Sequence, residues 1–187
     1  MRWRLVSLAV LICLAAGCAG QRPYVYRRAT VHGIVYDATG APLGRVRIEV
    51  KGHAPVTTDI NGQFFIPNVE RGTLTITASR DGYEPTREEL AFVSRTQVLY
   101  IRMHSASSLL TNAERHIEEN DPVAAAATAA RALRLAESDP VVRFTAAVVF
   151  VRTGEVGRAR AILATFPQTG APRAVELLRE ALGEEER

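Results

Sequence analysis

Residues 33–50 read GIVYDATGAPLGRVRIEV, residues 57–69 read TTDINGQFFIPNV, and residues 70–85 read ERGTLTITASRDGYEP. Through and beside them the apolar residues recur every second position: Val31, Gly33 and Val35, then Val46, Ile48 and Val50, then Leu74, Ile76 and Ala78. The pattern resumes at Leu99, Ile101 and Met103. A period of two puts alternate side chains on one face of a strand, so each run is a strand with one buried face. Turn residues separate the runs at Asp37-Ala38-Thr39-Gly40, Gly52-His53-Ala54-Pro55, Asn61-Gly62, Arg71-Gly72 and Asp81-Gly82. Asn61-Gly62 is the strongest of these, because both residues accept the positive φ of a type I′ hairpin. About seven short strands with no helical period between them predict a small antiparallel β-sandwich over residues 29–104.

The stretch resembles the carboxypeptidase regulatory-like domain, a transthyretin-like sandwich. The matching residues are Gly33, Asp37, Gly40, Pro42, Val46, Val50, Thr58, Asp59, Gly62, Phe64, Ile66, Gly72, Gly82 and Tyr83. The resemblance implies a domain without catalytic residues, an appendage in carboxypeptidases and a front module in outer-membrane receptors and surface proteins. Function belongs to sites and not to folds, so the implied role is no finer than binding or spacing. Asp59-Ile60-Asn61-Gly62 opens like a calcium loop, but the later acidic ligands are missing and a turn accounts for it better. An internal Lys–Asn isopeptide needs a lysine in the first strand, and Val31–Tyr36 has none. Tyr36, Tyr83 and Tyr100 are candidates for stacking on a sugar, set against the commoner role of aromatics as core or corner residues.

After Met103 the period becomes helical. Asp121-Pro122 and Asp139-Pro140 each place an N-cap carboxylate before a proline at the first helical position, and Thr153-Gly154 and Gly170-Ala171-Pro172 mark breaks. Five helices follow, roughly 107–119, 122–137, 140–152, 155–166 and 172–182. A shift of 34 residues pairs Ala113 with Ala147, Ile117 with Val151, Asn120 with Gly154 and Asp121 with Glu155. The same shift pairs Ala125 with Ala159, Ala127 with Ala161 and Ala130 with Ala164. Small residues at this period fit helices that must pack closely, and residues 105–187 resemble two tetratricopeptide repeats plus a terminal helix. Of the usual large aromatic positions only Phe150 is aromatic; Leu109, Arg143 and His116 occupy the others. Two such units are marginal alone, so the helices dock on the sandwich, pair with another copy or are completed by a partner. Arg143, Arg152, Arg158 and Arg160 are candidates to line a cationic groove, the plainer reading being a solvated helix face. The fold class is α+β with two modules.

The N-terminus carries an address. Met1–Arg4 is positively charged, and Leu5–Ala16 is an apolar run of 12 residues, short of the roughly 20 that cross a bilayer but suited to a signal peptide. Leu14-Ala15-Ala16-Gly17-Cys18 resembles the lipobox of bacterial lipoproteins, with alanine at the position three before the cysteine where leucine is usual. Residues 1–17 are therefore expected to be removed and Cys18 to be acylated, with residues 18–28 as the tether. At about 0.8 kcal/mol per buried CH2, more than one chain makes a durable anchor. Ala19 in place of aspartate after the cysteine favours the outer membrane, facing the periplasm. Cys13 is lost with the leader, so no thiol pair remains.

The net charge of +3 does not single out a partner. Arg2 and Arg4 fall in the leader, leaving 21 basic against 20 acidic side chains, with 8 of each in residues 29–104 and 10 against 12 in residues 105–187. Only Arg22, Arg27 and Arg28 of the tether form a local excess, worth about 1 kcal/mol each if they lie on anionic headgroups. No concentrated basic stretch points to nucleic acid. His32, His53, His104 and His116 lack metal-ligand spacing, and no nucleophile, phosphate-loop or dinucleotide motif is present. Glu88-Glu89 and Glu118-Glu119 are adjacent in sequence, which usually means exposed charge. No catalytic, metal or cofactor residue is assigned. The expectation is a non-catalytic, membrane-anchored envelope lipoprotein with a protein partner, the helices forming its peptide-binding surface. The alternative is an envelope carbohydrate or polymer binder acting through the sandwich.

Overall fold

The computed structural model describes residues 27–184; the apolar leader, Cys18, Arg22 and residues 185–187 lie outside the described residues. The chain runs β1 (Arg28–Asp37), β2 (Arg47–Val50), β3 (Val56–Thr57), β4 (Gln63–Glu70), β5 (Gly72–Ser79), β6 (Thr86–Phe92) and β7 (Val98–Met103). Five helices follow: α1 (Ala106–Glu118), α2 (Pro122–Leu135), α3 (Pro140–Arg152), α4 (Val156–Ala164) and α5 (Arg173–Glu184).

The strands form two sheets, ordered β4-β1-β7 and β3-β2-β5-β6. Their inner faces carry the residues of the period-two runs: Val31, Val35, Val46, Ile48, Ile66, Ile76, Ile101 and Met103 are each at most 1% exposed. All pairings are antiparallel but one. β7 arrives beside β1 after a crossing from the other sheet and runs parallel to it, from His32 opposite Val98 to Asp37 opposite Met103. β1 begins at Arg28, whose guanidinium bonds the Glu70 carboxylate at 2.8 and 3.0 Å. This tether arginine is thus tied to its neighbouring strand.

Two turns of the sandwich share one construction. Gly40 N–H donates to Asp37 O and Asp37 N–H to Ala41 O, while Gly62 N–H donates to Asp59 O and Asp59 N–H to Gln63 O. In both, the aspartate Oδ1 accepts the backbone N–H groups two and four residues on, at 2.8–3.0 Å. Of Asn61 and Gly62 only Gly62 takes a positive φ, 71°. The turn is therefore not type I′: the Asp59 carboxylate stabilises a longer turn that needs one left-handed residue. A Cβ on Gly62 would lie 2.3 Å from the Val35 carbonyl oxygen, so no other residue fits. The calcium-like Asp59 is a turn builder.

The helices repeat geometrically at the interval seen in the sequence. At the end of α1, Asn120 N–H donates to Ile117 O and Asp121 N–H to His116 O. Thirty-four residues later, Gly154 N–H donates to Val151 O and Glu155 N–H to Phe150 O. Asn120 and Gly154 share the left-handed backbone, with φ of 59° and 83°. Both are helix stops in which the reversed residue lets orphan carbonyls find donors. The next helices start on Asp121, which caps Ala124 N–H at 2.9 Å, and on Glu155, which makes no side-chain cap bond. Ala113, Ala147, Ala125 and Ala159 are fully buried at the crossings, whereas Ala127 and Ala161 are exposed. Small residues pack the helices closely at the first two pairs only.

The buried residues fall into two cores, one from Val31 to Met103 and one from Ala106 to Leu182. A polar joint connects them. Glu84 N–H donates to His104 O at 2.8 Å, Tyr83 forms a bridge with Ser105, and the Glu84 carboxylate takes two bonds from the Arg131 guanidinium, at 2.9 and 2.5 Å. The helices therefore meet the sandwich at the start of α1 and through Arg131 of α2.

Candidate functional site

Each sheet turns one face outward, and the two outward faces differ in chemistry. On β4-β1-β7 the register sets His32 between Phe65 and Val98, Ile34 between Gln63 and Tyr100, and Tyr36 beside Arg102. Phe65 is 61% exposed and Tyr100 58%, and Val98 is exposed beside them. Contiguous aromatic and apolar side chains on a strand face mark an interaction surface more often than chance exposure does. The rings do not form a flat platform. Tyr36 and Tyr100 lie 6.4 Å apart with planes 54° from each other, and His32 and Phe65 lie 6.4 Å apart at 49°. The Arg102 guanidinium covers Tyr36 at 5.2 Å, leaving Tyr100 and Phe65 as the open rings.

Of the tyrosines singled out in the sequence, Tyr36 and Tyr100 therefore share this face. Tyr83 lies elsewhere, at the domain joint, half-buried against the sandwich core with Arg80 over its ring at 5.0 Å. Phe65 was not singled out, although the alternation shows it: Phe64 points inward, so Phe65 must point outward.

The outward face of β3-β2-β5-β6 is polar and basic. Its rows place Glu49, Thr77 and Arg87 side by side, with Arg47 opposite Ser79. One hollow of about 610 Å³ on this face is lined by Arg47, Lys51, His53 and Arg87 among others. A second, of about 730 Å³, is lined by Arg45, Arg47, Arg80, Tyr83, Pro85 and Leu135, so it lies where the sandwich meets the end of α2.

The four helical arginines do not assemble into a cationic groove. Arg143 stacks on Phe166 at 4.4 Å, and Arg158 stacks on Phe150 at 4.1 Å while pairing with Glu155. Arg160 donates to the Leu182 carbonyl at 2.7 Å, and Arg152 is exposed. Three of the four knit helix to helix, which the apolar rings and free carbonyls nearby make favourable. A small hollow of about 320 Å³ between α2 and α4 takes in Arg143 with Leu133 and Ile162.

No group of three or more His, Cys, Asp or Glu side chains that could hold a metal ion occurs among the described residues. His32 stands on the exposed sheet face, His53 in the β2–β3 turn, His104 at the joint and His116 at the end of α1 beside Glu119. Glu88 and Glu89 point to opposite sides of β6. Three carboxylates are held below their usual range, among them Glu70, which the Arg28 guanidinium lowers. Thr39 and the backbone of its turn lower Asp37, and the Arg131 guanidinium lowers Glu84.

No curated protein matches the sequence. Among solved structures, a chain of a type II cohesin–X-dockerin complex from Acetivibrio cellulolyticus is 28% identical over 41% of this chain and 58% of that one, with a TM-score of 0.32. The 3-chlorocatechol 1,2-dioxygenase of Rhodococcus opacus 1CP is 15% identical over 45% and 62%, with a TM-score of 0.34. The chain thus spans less than two thirds of either, and overlaps this weak carry no assignment of activity or partner. The family comparison covers the sandwich from its first strand to its last: residues 30–104 match the carboxypeptidase regulatory-like domain.

Proposed function

We propose that this chain is a non-catalytic, lipid-anchored envelope protein that holds a protein partner, with the outward face of β4-β1-β7 as its main contact surface. The exposed Phe65 and Tyr100, on the two strands that flank β1, carry this reading. Rings of this kind supply large contact area at little conformational cost and are enriched where proteins meet. The lipobox-like residues ending at Cys18 support anchorage, and Ala19 supports the outer membrane as the address. The helical module fits tetratricopeptide-like pairs, supported by the helix stops at Asn120 and Gly154, and acts here as a platform set against the sandwich. Its expected arginine groove is taken up by internal ties, which moves the working surface to the sandwich.

The carbohydrate reading rests on the same two rings. A flat stacking platform is what sugar binding favours, and the tilts of 49° and 54° weigh against it.

A photoreactive phenylalanine analogue at position 65 or 100 of the full chain, in the producing bacterium, tests the proposal. Adducts with one envelope protein from both positions, absent from a control at exposed Glu118 and lost in Cys18→Ser, are the expected result. Adducts with glycan alone would transfer the face to the carbohydrate reading. Adducts with protein from Glu118 alone would return the working surface to the helices.

A further inference from the structure

The sandwich is neutral in sum, yet its charges are sorted. Of its acidic side chains, Asp37 and Asp59 are spent on the twin turns, Glu70 on Arg28 and Glu84 on Arg131. The basic ones gather: Arg45, Arg47, Lys51, Arg80 and Arg87 all line the two hollows on the four-stranded sheet, with Glu49 and Asp81 inside the hollows and Glu88 and Glu89 on β6 beside them. Glu49 pairs with Arg47 at 2.7 Å, and Arg45 and Arg87 have no ion-pair partner among the described residues.

Arg45 is singular in a second way. Its φ is 58°, in the left-handed region that favours glycine. The surroundings impose this conformation. Buried Thr58 donates to Leu43 O at 2.8 Å and accepts Val46 N–H at 2.9 Å, Arg45 N–H donates to Thr58 O, and a Cβ on Gly44 would come within 2.7 Å of Asp59 O. Glycine at 45 would satisfy the same loop at lower backbone cost, so the arginine there is explained by its side chain and not by the fold.

The hollow that Arg45 lines is not purely cationic. Tyr83, Pro85 and Leu135 give it an apolar part, and Leu135 comes from α2, so the site is complete only with both modules in place. A bare polyanion would satisfy the arginines and leave this apolar part uncovered. A peptide with alternating acidic and apolar side chains covers both.

We propose that the cleft between the four-stranded sheet and the end of α2, lined by Arg45, Arg47, Arg80, Tyr83, Pro85 and Leu135, binds an acidic peptide segment bearing an apolar side chain. It goes beyond the reading above, since it lies on the other sheet, and either can fail without the other.

The test uses the full chain in neutral detergent and a fluorescein-labelled peptide of alternating aspartate and leucine, with anisotropy as the readout at low salt. Binding is expected to saturate and to weaken about tenfold in Arg45→Gly, the loss of one charged hydrogen bond. That variant should melt at or above the parent temperature, which separates lost recognition from lost fold. Leu135→Ala should also weaken binding, Phe65→Ser should not, and a peptide with asparagine for aspartate should not bind. The proposal is overturned by no saturable binding, by unchanged binding in Arg45→Gly, or by equal binding of the asparagine peptide. Tighter Arg45-dependent binding of polygalacturonate or single-stranded DNA would also overturn it, in favour of a plain polyanion.

Discussion

Gly33 and Phe64 face each other across β1 and β4, and a Cβ on Gly33 would lie 2.2 Å from the Phe64 ring. The ring fills the space that a side chain at 33 would occupy, and at 2% exposure it has nowhere to go. Gly33→Ala is therefore expected to destabilise the sandwich by about 1–3 kcal/mol, the usual cost of overpacking a filled core, measured by urea unfolding of the full chain. Residue-level reading of the sequence reaches such positions unevenly. Alternation places Gly33 inside and Phe65 outside, because each strand buries one face. Nothing comparable announces Arg45, whose left-handed backbone is set by Thr58 and Asp59 from a different part of the chain. The arginines of the helices show the same limit: their count is visible, but their use as ties to Phe150, Phe166 and Leu182 depends on tertiary neighbours.

Helix starts are better announced than helix surfaces. Asp139 caps both Val141 N–H at 2.8 Å and Val142 N–H at 3.3 Å, while Glu155 opens α4 without a side-chain cap bond. Asp139→Ala should cost about 1 kcal/mol in thermal unfolding, whereas Glu155→Ala should cost only the few tenths of a helical ion pair with Arg158. Equal losses would mean that the capping bonds of Asp139 are not the source of its effect. The Asp-Pro pairs reveal these starts because capping and the proline at the first position are both local. The 34-residue interval is likewise local, since it is carried by helix stops within one turn of Asn120 and Gly154. The type of the Asn61-Gly62 turn was less legible. Two-residue propensity points to a type I′ hairpin, but the carboxylate two positions before Asn61 selects a longer turn with only Gly62 reversed.

At the scale of the whole molecule, the joint between the cores is one bidentate ion pair and a few backbone bonds. Glu84 and Arg131 are 47 residues apart in sequence, and no periodicity links them. Arg131 holds the folded-state pKa of Glu84 below its ordinary value of 4.5. The contribution is therefore fully present above the ordinary carboxylate range and is lost as the pH falls through the lowered value. With side-chain exposures of 30% and 41% it amounts to about 0.5–1 kcal/mol. Glu84→Gln should loosen the joint at neutral pH without melting either module, and acid should loosen the parent to match. Electron–electron distance distributions between labels on Glu89→Cys and Arg152→Cys would broaden accordingly; a distribution insensitive to both changes would place the rigidity in the backbone bonds. The parallel pairing of β1 with β7 has a further consequence for the order of assembly. In a chain that emerges N-terminus first, from a ribosome or through a membrane pore, β1 can gain β4 early but keeps an open hydrogen-bonding edge until residues 98–103 have cleared. During that interval the central strand of the aromatic sheet is a template for strands of other chains, so a chaperone or rapid emergence would protect this protein most between synthesis of Glu70 and Met103.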